Sequence, residues 1–75
     1  MKITIESTTK IVEFNGVPAR VWEGQTDTGI QVHCFITRIA CDKGEHEKQF
    51  AEELQRCKPP SPDVQKSYDL RYFID

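Results

Sequence analysis

The sequence contains no apolar run that approaches the ~20 residues of a membrane-spanning helix. Its first segment, MKITIEST, also lacks the apolar region of a signal peptide. Ten Lys+Arg against twelve Asp+Glu give a formal net charge of −2. Proteins that bind nucleic acid regardless of its sequence carry a basic excess, so this balance argues against that function. We therefore expect a cytoplasmic protein that contacts neither membranes nor nucleic acid.

Cysteine is scarce and occurs in an odd number, at Cys34, Cys41 and Cys57. An odd count without a secretory signal predicts reduced thiols rather than a disulfide framework. The cysteine spacing matches no compact zinc pattern, and no residue supplies a positioned base for a nucleophile. His33 and Cys34 are adjacent, so in a strand their side chains point to opposite faces. We expect no metal, no cofactor and no enzymatic activity.

The chain is short but has the composition of a folded protein. Its 75 residues are 37% hydrophobic and 29% charged, which fits one domain spanning residues 1–75. A core of this size rarely supplies more than ~3–5 kcal/mol without a disulfide, a metal or a partner chain. Size alone therefore favours a protein that associates with a partner.

A β-hairpin is predicted around Asn15-Gly16, because Asn-Gly supplies the two positive-φ positions of a type I′ turn. A two-residue turn sets the register of the strands on either side. The predicted cross-strand pairs are Phe14–Val17, Val12–Ala19 and Lys10–Val21. These six residues share one face of the hairpin.

A second hairpin is predicted where Gly24 and Gly29 bracket a polar four-residue turn. The pairs that this turn predicts are Val21–Val32, Ala19–Cys34 and Val17–Ile36. Both turns then place apolar residues on one side of a three-stranded antiparallel meander. That predicted apolar face consists of Val12, Phe14, Val17, Ala19, Val21, Val32, Cys34 and Ile36.

One helix is predicted from Glu45 to Cys57. Asp42 and Glu45 have the spacing of a capping box, apolar residues follow at helical spacing, and the Pro-rich segment 58–62 ends the helix. The predicted fold class is α+β: a small antiparallel β-meander of three to five strands with one α-helix packed on one face. Segment 2–6 is either a separate strand or part of the first one. Segment 68–74 either adds an edge strand or drapes over the helix.

The other face of the meander carries the candidate binding residues, which are Arg20, Trp22, His33 and Phe35. Ile11 lies on the same predicted face. An aromatic and basic patch left open on a small domain is typical of a binding surface, and Trp and Arg are frequent interface hot spots. In the alternative interpretation, a terminal segment covers this face and makes it part of the core.

Three kinds of partner fit this surface. We expect a protein partner, either a host protein or a second copy of the chain in a homodimer. The alternative is a homo-oligomer that binds a small molecule or nucleotide at a subunit boundary, with Arg20, His33 and Arg38 holding an anion. Stacking of single-stranded nucleic acid on Trp22 and Phe35 is disfavoured by the acidic charge balance.

The segments 15–24 (NGVPARVWEG) and 28–40 (TGIQVHCFITRIA) resemble small proteins encoded by bacteriophages and prophages of Gram-negative bacteria. The resemblance covers about the first half of the chain. It implies a short accessory protein made in the bacterial cytoplasm, of a kind that often binds a host protein or blunts a host defence. No site residue follows from the resemblance.

Overall fold

The computed structural model describes residues 1–42 and 45–67. The elements in chain order are the strands β1 (Ile3–Phe14), β2 (Val17–Thr26) and β3 (Gln31–Ile36) and the helices α1 (Glu47–Glu53) and α2 (Pro62–Ser67). The three strands form one antiparallel sheet in the order β1-β2-β3. The α+β meander is thereby confirmed, with three strands in the described part of the chain. Segment 68–74 lies outside the described residues.

The first hairpin follows the predicted register at its turn. Phe14 pairs with Val17 and Val12 with Ala19. The turn residues have φ values of 51° at Asn15 and 82° at Gly16, as a type I′ turn requires. All of segment 2–6 except Lys2 belongs to β1, which is a single long strand.

The register of β1 shifts in its middle, between the pairs Ser7–Trp22 and Ile11–Arg20. Three residues of β1 lie there opposite one residue of β2, so the strand bulges and the predicted pair Lys10–Val21 is not formed. Thr8 fills the bulge and is fully buried. Its Oγ1 donates to the Val21 carbonyl at 2.7 Å and accepts from the Lys10 N–H at 3.2 Å. The hydroxyl thus satisfies backbone groups that the bulge removes from the strand pairing.

The outer edge of the bulge is bridged by Lys58. The Lys58 N–H donates to the Ser7 carbonyl at 3.1 Å, and the Thr9 N–H donates to the Lys58 carbonyl at 3.0 Å. Residue 58 therefore forms a one-residue parallel bridge with Thr8. The Ser7 hydroxyl adds a 3.0 Å bond to the Arg56 carbonyl. This edge contact lies in the segment that connects α1 to α2.

The predicted register of the second hairpin is wrong. Val21 pairs with Phe35, not with Val32, and Trp22 pairs with Cys34. The difference is three residues, and an odd shift moves every β3 side chain to the opposite face. Val32, Cys34 and Ile36 therefore leave the predicted apolar face. His33 and Phe35 take their places on it.

The turn was misplaced because Gly24 lies within β2 rather than at its end. A Cβ at Gly24 would overlap the Thr4 carbonyl oxygen and lie 2.7 Å from the Ile5 Cα, so close approach of β1 requires glycine there. The turn is closed instead by Thr26, the last residue of β2. Its N–H donates to the Ile30 carbonyl at 2.9 Å, and its Oγ1 accepts from the Ile30 N–H at 3.1 Å.

One face of the sheet, which we term the covered face, holds the core. Val12, Ala19 and Val21 lie on it and are at most 2% exposed, and Val64 of α2 packs against them with no exposure. The rings of Phe14 and Phe35 meet edge to face beside this cluster, with centroids 5.0 Å apart. The helix that completes the core is therefore α2.

The helix predicted from Glu45 begins later and packs differently. Helix α1 starts at Glu47, and its N-cap is His46, which makes no side-chain capping bond. The predicted capping box from Asp42 to Glu45 therefore does not cap α1; residues 43 and 44 lie outside the described part. No side chain of α1 is fully buried, so its predicted packing on the apolar face is not confirmed.

Helix α2 follows directly from the Pro-rich segment. The Ser61 Oγ accepts from the Val64 N–H at 3.4 Å, and the Ser61 carbonyl accepts from the Gln65 N–H at 2.9 Å. Ser61 is thus the N-cap, and Pro62 occupies the first helical position that proline favours. The Ser-Pro pair begins a helix here, although the prolines also fit the end of the preceding one.

Candidate functional site

The sheet face opposite the core, which we term the open face, is centred on Arg20 and Trp22 of β2. Ile11 of β1 and Ile36 of β3 lie on either side of Arg20. Cys34 lies opposite Trp22. None of these five side chains is fully buried, in contrast to the core residues Val12, Ala19 and Val21 of the covered face. Apolar side chains on an uncovered sheet face are a feature of interaction surfaces.

The four candidate binding residues do not share a face. Arg20 and Trp22 lie on the open face, as predicted. His33 pairs with Glu23, and Phe35 pairs with Val21, so both lie on the covered face. The prediction of one surface containing all four residues is wrong, because it depended on the incorrect β2–β3 register.

A groove of about 380 Å³ runs along the open face. Its floor is formed by strand residues that include Trp22 and Ile36, and its walls by Ile39 and Leu54. Among its apolar side chains, Ile11 is 49% exposed, Ile39 is 43% exposed and Leu54 is 37% exposed. The groove thus presents aliphatic surface from several parts of the chain to solvent.

Two arginines line the same groove, Arg20 from β2 and Arg38 from the segment after β3. The Arg20 Nη1 donates to the Thr8 carbonyl at 2.7 Å, so the bulge of β1 holds this guanidinium in place. Arg38 is exposed. In the described part of the chain, the one ion pair within 4.0 Å joins two other residues, Lys58 and Glu23. The groove therefore combines aliphatic walls with positive charge.

Sequence patterns pointed to part of this groove. Arg20, Trp22 and Ile11 were predicted on this face from the first hairpin. Ile36 was assigned to the core by the wrong register. The position of Leu54 at the groove depends on the path of the chain after β3, which no local sequence pattern encodes.

A second cleft, of about 430 Å³, lies on the covered face beside the start of α2. Glu6, Glu23 and His33 form a row across the three strands, and Lys58 and Asp63 reach the cleft from the segment leading into α2. Carboxylates beside a histidine are the residue types of acid–base chemistry. The ionisation and hydrogen bonds of Glu23 decide whether this row can carry out acid–base chemistry.

Glu23 ties the sheet to the start of α2. Its Oε1 lies 2.9 Å from the Lys58 Nζ, and its Oε2 accepts from the Ser61 N–H at 3.3 Å. The hydrogen bond from Lys58 lowers the pKa of Glu23 below its ordinary value, and the same bond raises the pKa of Lys58. Both groups are therefore charged near neutral pH. A carboxylate held ionised with both oxygens engaged serves as a structural link rather than a general acid.

Within residues 1–42 and 45–67, no three His, Cys, Asp or Glu side chains cluster so that they could hold a metal ion. No helix in the same ranges has the length and apolar character to cross a bilayer.

Comparison with protein-family models, curated proteins and solved structures finds no match for the chain.

Proposed function

We propose that this is a non-enzymatic protein that works by binding another protein through the groove on its open face. The observation that carries the proposal is the groove itself, where Ile11, Ile39 and Leu54 remain at least 37% exposed around Trp22. Burying aliphatic surface on a partner stabilises a complex by roughly 25 cal/mol per Å² of apolar area before the costs of association. Trp22 and Arg20 are of the residue types that most often dominate such contacts.

The size of the core supports the same function. In the described part of the chain, four apolar side chains are buried and they form a single cluster. A partner on the open face would give the sheet a second covered side, the usual arrangement for a sheet with apolar residues on both faces. The resemblance to bacteriophage accessory proteins supplies the setting: the partner is a host protein, inhibited by the contact in the bacterial cytoplasm.

A second candidate is the binding of a small anion or nucleotide at a subunit boundary. The observation in its favour is that Arg20 and Arg38 line one groove. His33, which was predicted to complete the anion site, lies on the other face. A thermal-shift panel of nucleotides and phosphates tests this candidate, because a ligand that binds the folded state raises the melting temperature.

The proposal is tested by comparing three proteins as bait: wild type, Ile39→Ser in the groove and Ile30→Ser outside it. Both isoleucines are exposed, at 43% and 64%, so neither replacement removes a core residue. A protein that the wild type captures from a bacterial lysate is purified, and its affinity for each of the three baits is measured by calorimetry. We expect Ile39→Ser to weaken binding about tenfold, or about 1.4 kcal/mol, and Ile30→Ser to bind like wild type. Equal affinities for all three would contradict the proposal.

A further inference from the structure

The charge of the groove has the opposite sign to that of the chain. The formal net charge is −2, yet the charged side chains that line the groove are Arg20 and Arg38, with no carboxylate from the described residues among them. Partners tend to present complementary charge across an interface. A groove that is positive on an acidic protein therefore selects for a negatively charged feature.

The two arginines are suited to hold a carboxylate. Arg20 is already fixed by its bond to the Thr8 carbonyl, so little side-chain entropy remains to be lost when it binds. Its other guanidinium N–H groups stay available, since the structure assigns this bond to Nη1 alone. Arginine and carboxylate groups form paired, charge-assisted hydrogen bonds. Within the described residues, neither Arg20 nor Arg38 has a carboxylate within ion-pair distance.

We propose, as a deepening of the proposed function and resting on it, that the partner presents a segment in which apolar side chains stand next to a carboxylate. The apolar side chains occupy the space between Ile11, Ile39 and Leu54. The Asp or Glu of the partner pairs with Arg38 and with the guanidinium N–H groups of Arg20 that do not bond to Thr8. The aliphatic walls provide burial, while the arginines provide the selection among apolar segments.

Two other occupants fit the groove less well. In a two-fold dimer of the chain through this face, the same patch meets itself, so the arginines of one copy would approach those of the other. Single-stranded nucleic acid stacks its bases on aromatic rings. The groove offers one such ring, Trp22, and its other apolar side chains in the described part are aliphatic apart from Pro18.

The test is a selection from a displayed library of random peptides of about a dozen residues. The baits are the full-length wild type, Arg38→Glu, Ile39→Ser and the control Ile30→Ser. We expect wild type and Ile30→Ser to enrich peptides with Asp or Glu beside apolar residues. Arg38→Glu is expected to bind these peptides at least about tenfold more weakly, and to enrich peptides that carry Lys or Arg instead. Affinities of synthesised peptides are measured by fluorescence anisotropy.

The outcomes separate this inference from the function on which it rests. Enriched peptides that need Ile39 but show no acidic bias would overturn the inference and leave the proposed function standing. Peptides that bind all four baits equally, or no saturable binding at all, would overturn both.

Two control measurements cover the other occupants. One is binding of a labelled oligothymidine, and the other is the solution mass by light scattering. Oligothymidine binding that Arg38→Glu abolishes, or a dimer that Ile39→Ser dissociates, would assign the groove to nucleic acid or to a second copy. Either result would overturn the inference. A monomer that does not bind oligothymidine supports the inference.

Discussion

At the residue scale, Thr8 is the buried polar residue that links the bulge of β1 to Arg20 of the groove. It is fully buried, its hydroxyl serves two backbone groups, and its carbonyl accepts the bond that fixes Arg20. A buried hydroxyl stabilises a fold only when it is hydrogen-bonded. The alternation of residues 2–6 and the turn at Asn15-Gly16 predict strand on either side of Thr8, but neither pattern shows that the strand bulges there.

Replacing Thr8 with Val keeps the shape of the side chain and removes the hydroxyl. The Val21 carbonyl and the Lys10 N–H then lose a partner, which costs about 1–3 kcal/mol for buried groups. Urea denaturation checks this loss in the free energy of unfolding. Thr9→Val is the matched control, because Thr9 is exposed, and it should change the stability by less than about 0.5 kcal/mol. Equal losses in the two variants would contradict the role of Thr8.

A second residue-scale prediction concerns Gly24. Alanine at this position would force β1 and β2 apart, because its Cβ would overlap the Thr4 carbonyl oxygen. We expect a loss of about 2 kcal/mol or more. Gly16→Ala is the control: its Cβ meets no atom within 4 Å, and it carries only the strain of a φ of 82°, about 1 kcal/mol. A smaller loss at position 24 than at position 16, measured by thermal denaturation, would show that the strands are not in close contact there.

At the scale of elements, the two hairpins show what local sequence can predict. Asn15-Gly16 predicts the register next to its turn correctly because both residues adopt the positive φ that only one turn type uses. Gly24 and Gly29 suggest a turn equally well, yet Gly24 is needed for close packing between strands. A glycine required by a neighbouring strand looks the same in sequence as a glycine required by a turn. The three-residue register error and the misplacement of His33 and Phe35 follow from that ambiguity.

The helices show the same limit of prediction from local sequence. The spacing of Phe50 and Leu54 is typical of a helix that packs on a core, but no side chain of α1 is fully buried. Helix α2 is shorter and contributes one fully buried residue, Val64. Which helix covers the sheet is decided by the edge contact at Lys58, since that contact directs the chain to the covered face. Periodicity describes one helix at a time and carries no information about that route.

A mutation in α2 and a mutation directly after α1 distinguish the roles of the two helices. Val64→Ala removes a buried side chain from the core, and we expect a loss of about 2 kcal/mol in the free energy of unfolding. Leu54→Ala, directly after α1, removes a side chain that is 37% exposed and should cost less than about 1 kcal/mol. Chemical denaturation of both variants provides the measurement. A larger loss for Leu54→Ala than for Val64→Ala would contradict the assignment of Val64 to the core.

The link between Glu23 and Lys58 makes the attachment of α2 dependent on pH. Since the pKa of Glu23 is lowered in the folded state, its stabilisation is fully present above its ordinary pKa of 4.5. The stabilisation is lost as the pH falls through the lowered value. Lys58 behaves in the opposite way: its contribution is present below 10.5 and lost as the pH rises through its raised pKa. Glu23→Gln removes the dependence that comes from Glu23 and the largest cause of the raised Lys58 pKa, to which the charge of Glu6 also contributes.

The measurement is the difference in unfolding free energy between wild type and Glu23→Gln from neutral pH down to about pH 3. We expect the difference to be constant near neutral pH and to shrink below pH 4.5. Glu6, Asp63 and His33 line the same cleft and are present in both proteins, so the comparison isolates the change at residue 23. A difference that stays constant down to the lowest pH would show that Glu23 is not held by Lys58.

At the scale of the whole molecule, a three-stranded sheet separates two chemically different surfaces. The covered face holds the core and the cleft that contains Glu23 and His33. The open face holds the groove with Trp22 and both arginines. Composition and charge suggested a small binding protein, and the first hairpin placed Arg20 and Trp22 correctly. The second hairpin register and the path of the chain to α2 determine which other residues join them.

The register between β2 and β3 is therefore the central claim, and nuclear Overhauser effects between backbone protons test it most directly. The structure predicts cross-strand contacts for Val21 with Phe35 and for Trp22 with Cys34. Contacts of Val21 with Val32 and of Ala19 with Cys34 would instead return His33 and Phe35 to the side of Trp22. That result would contradict the groove as described and the function proposed for it.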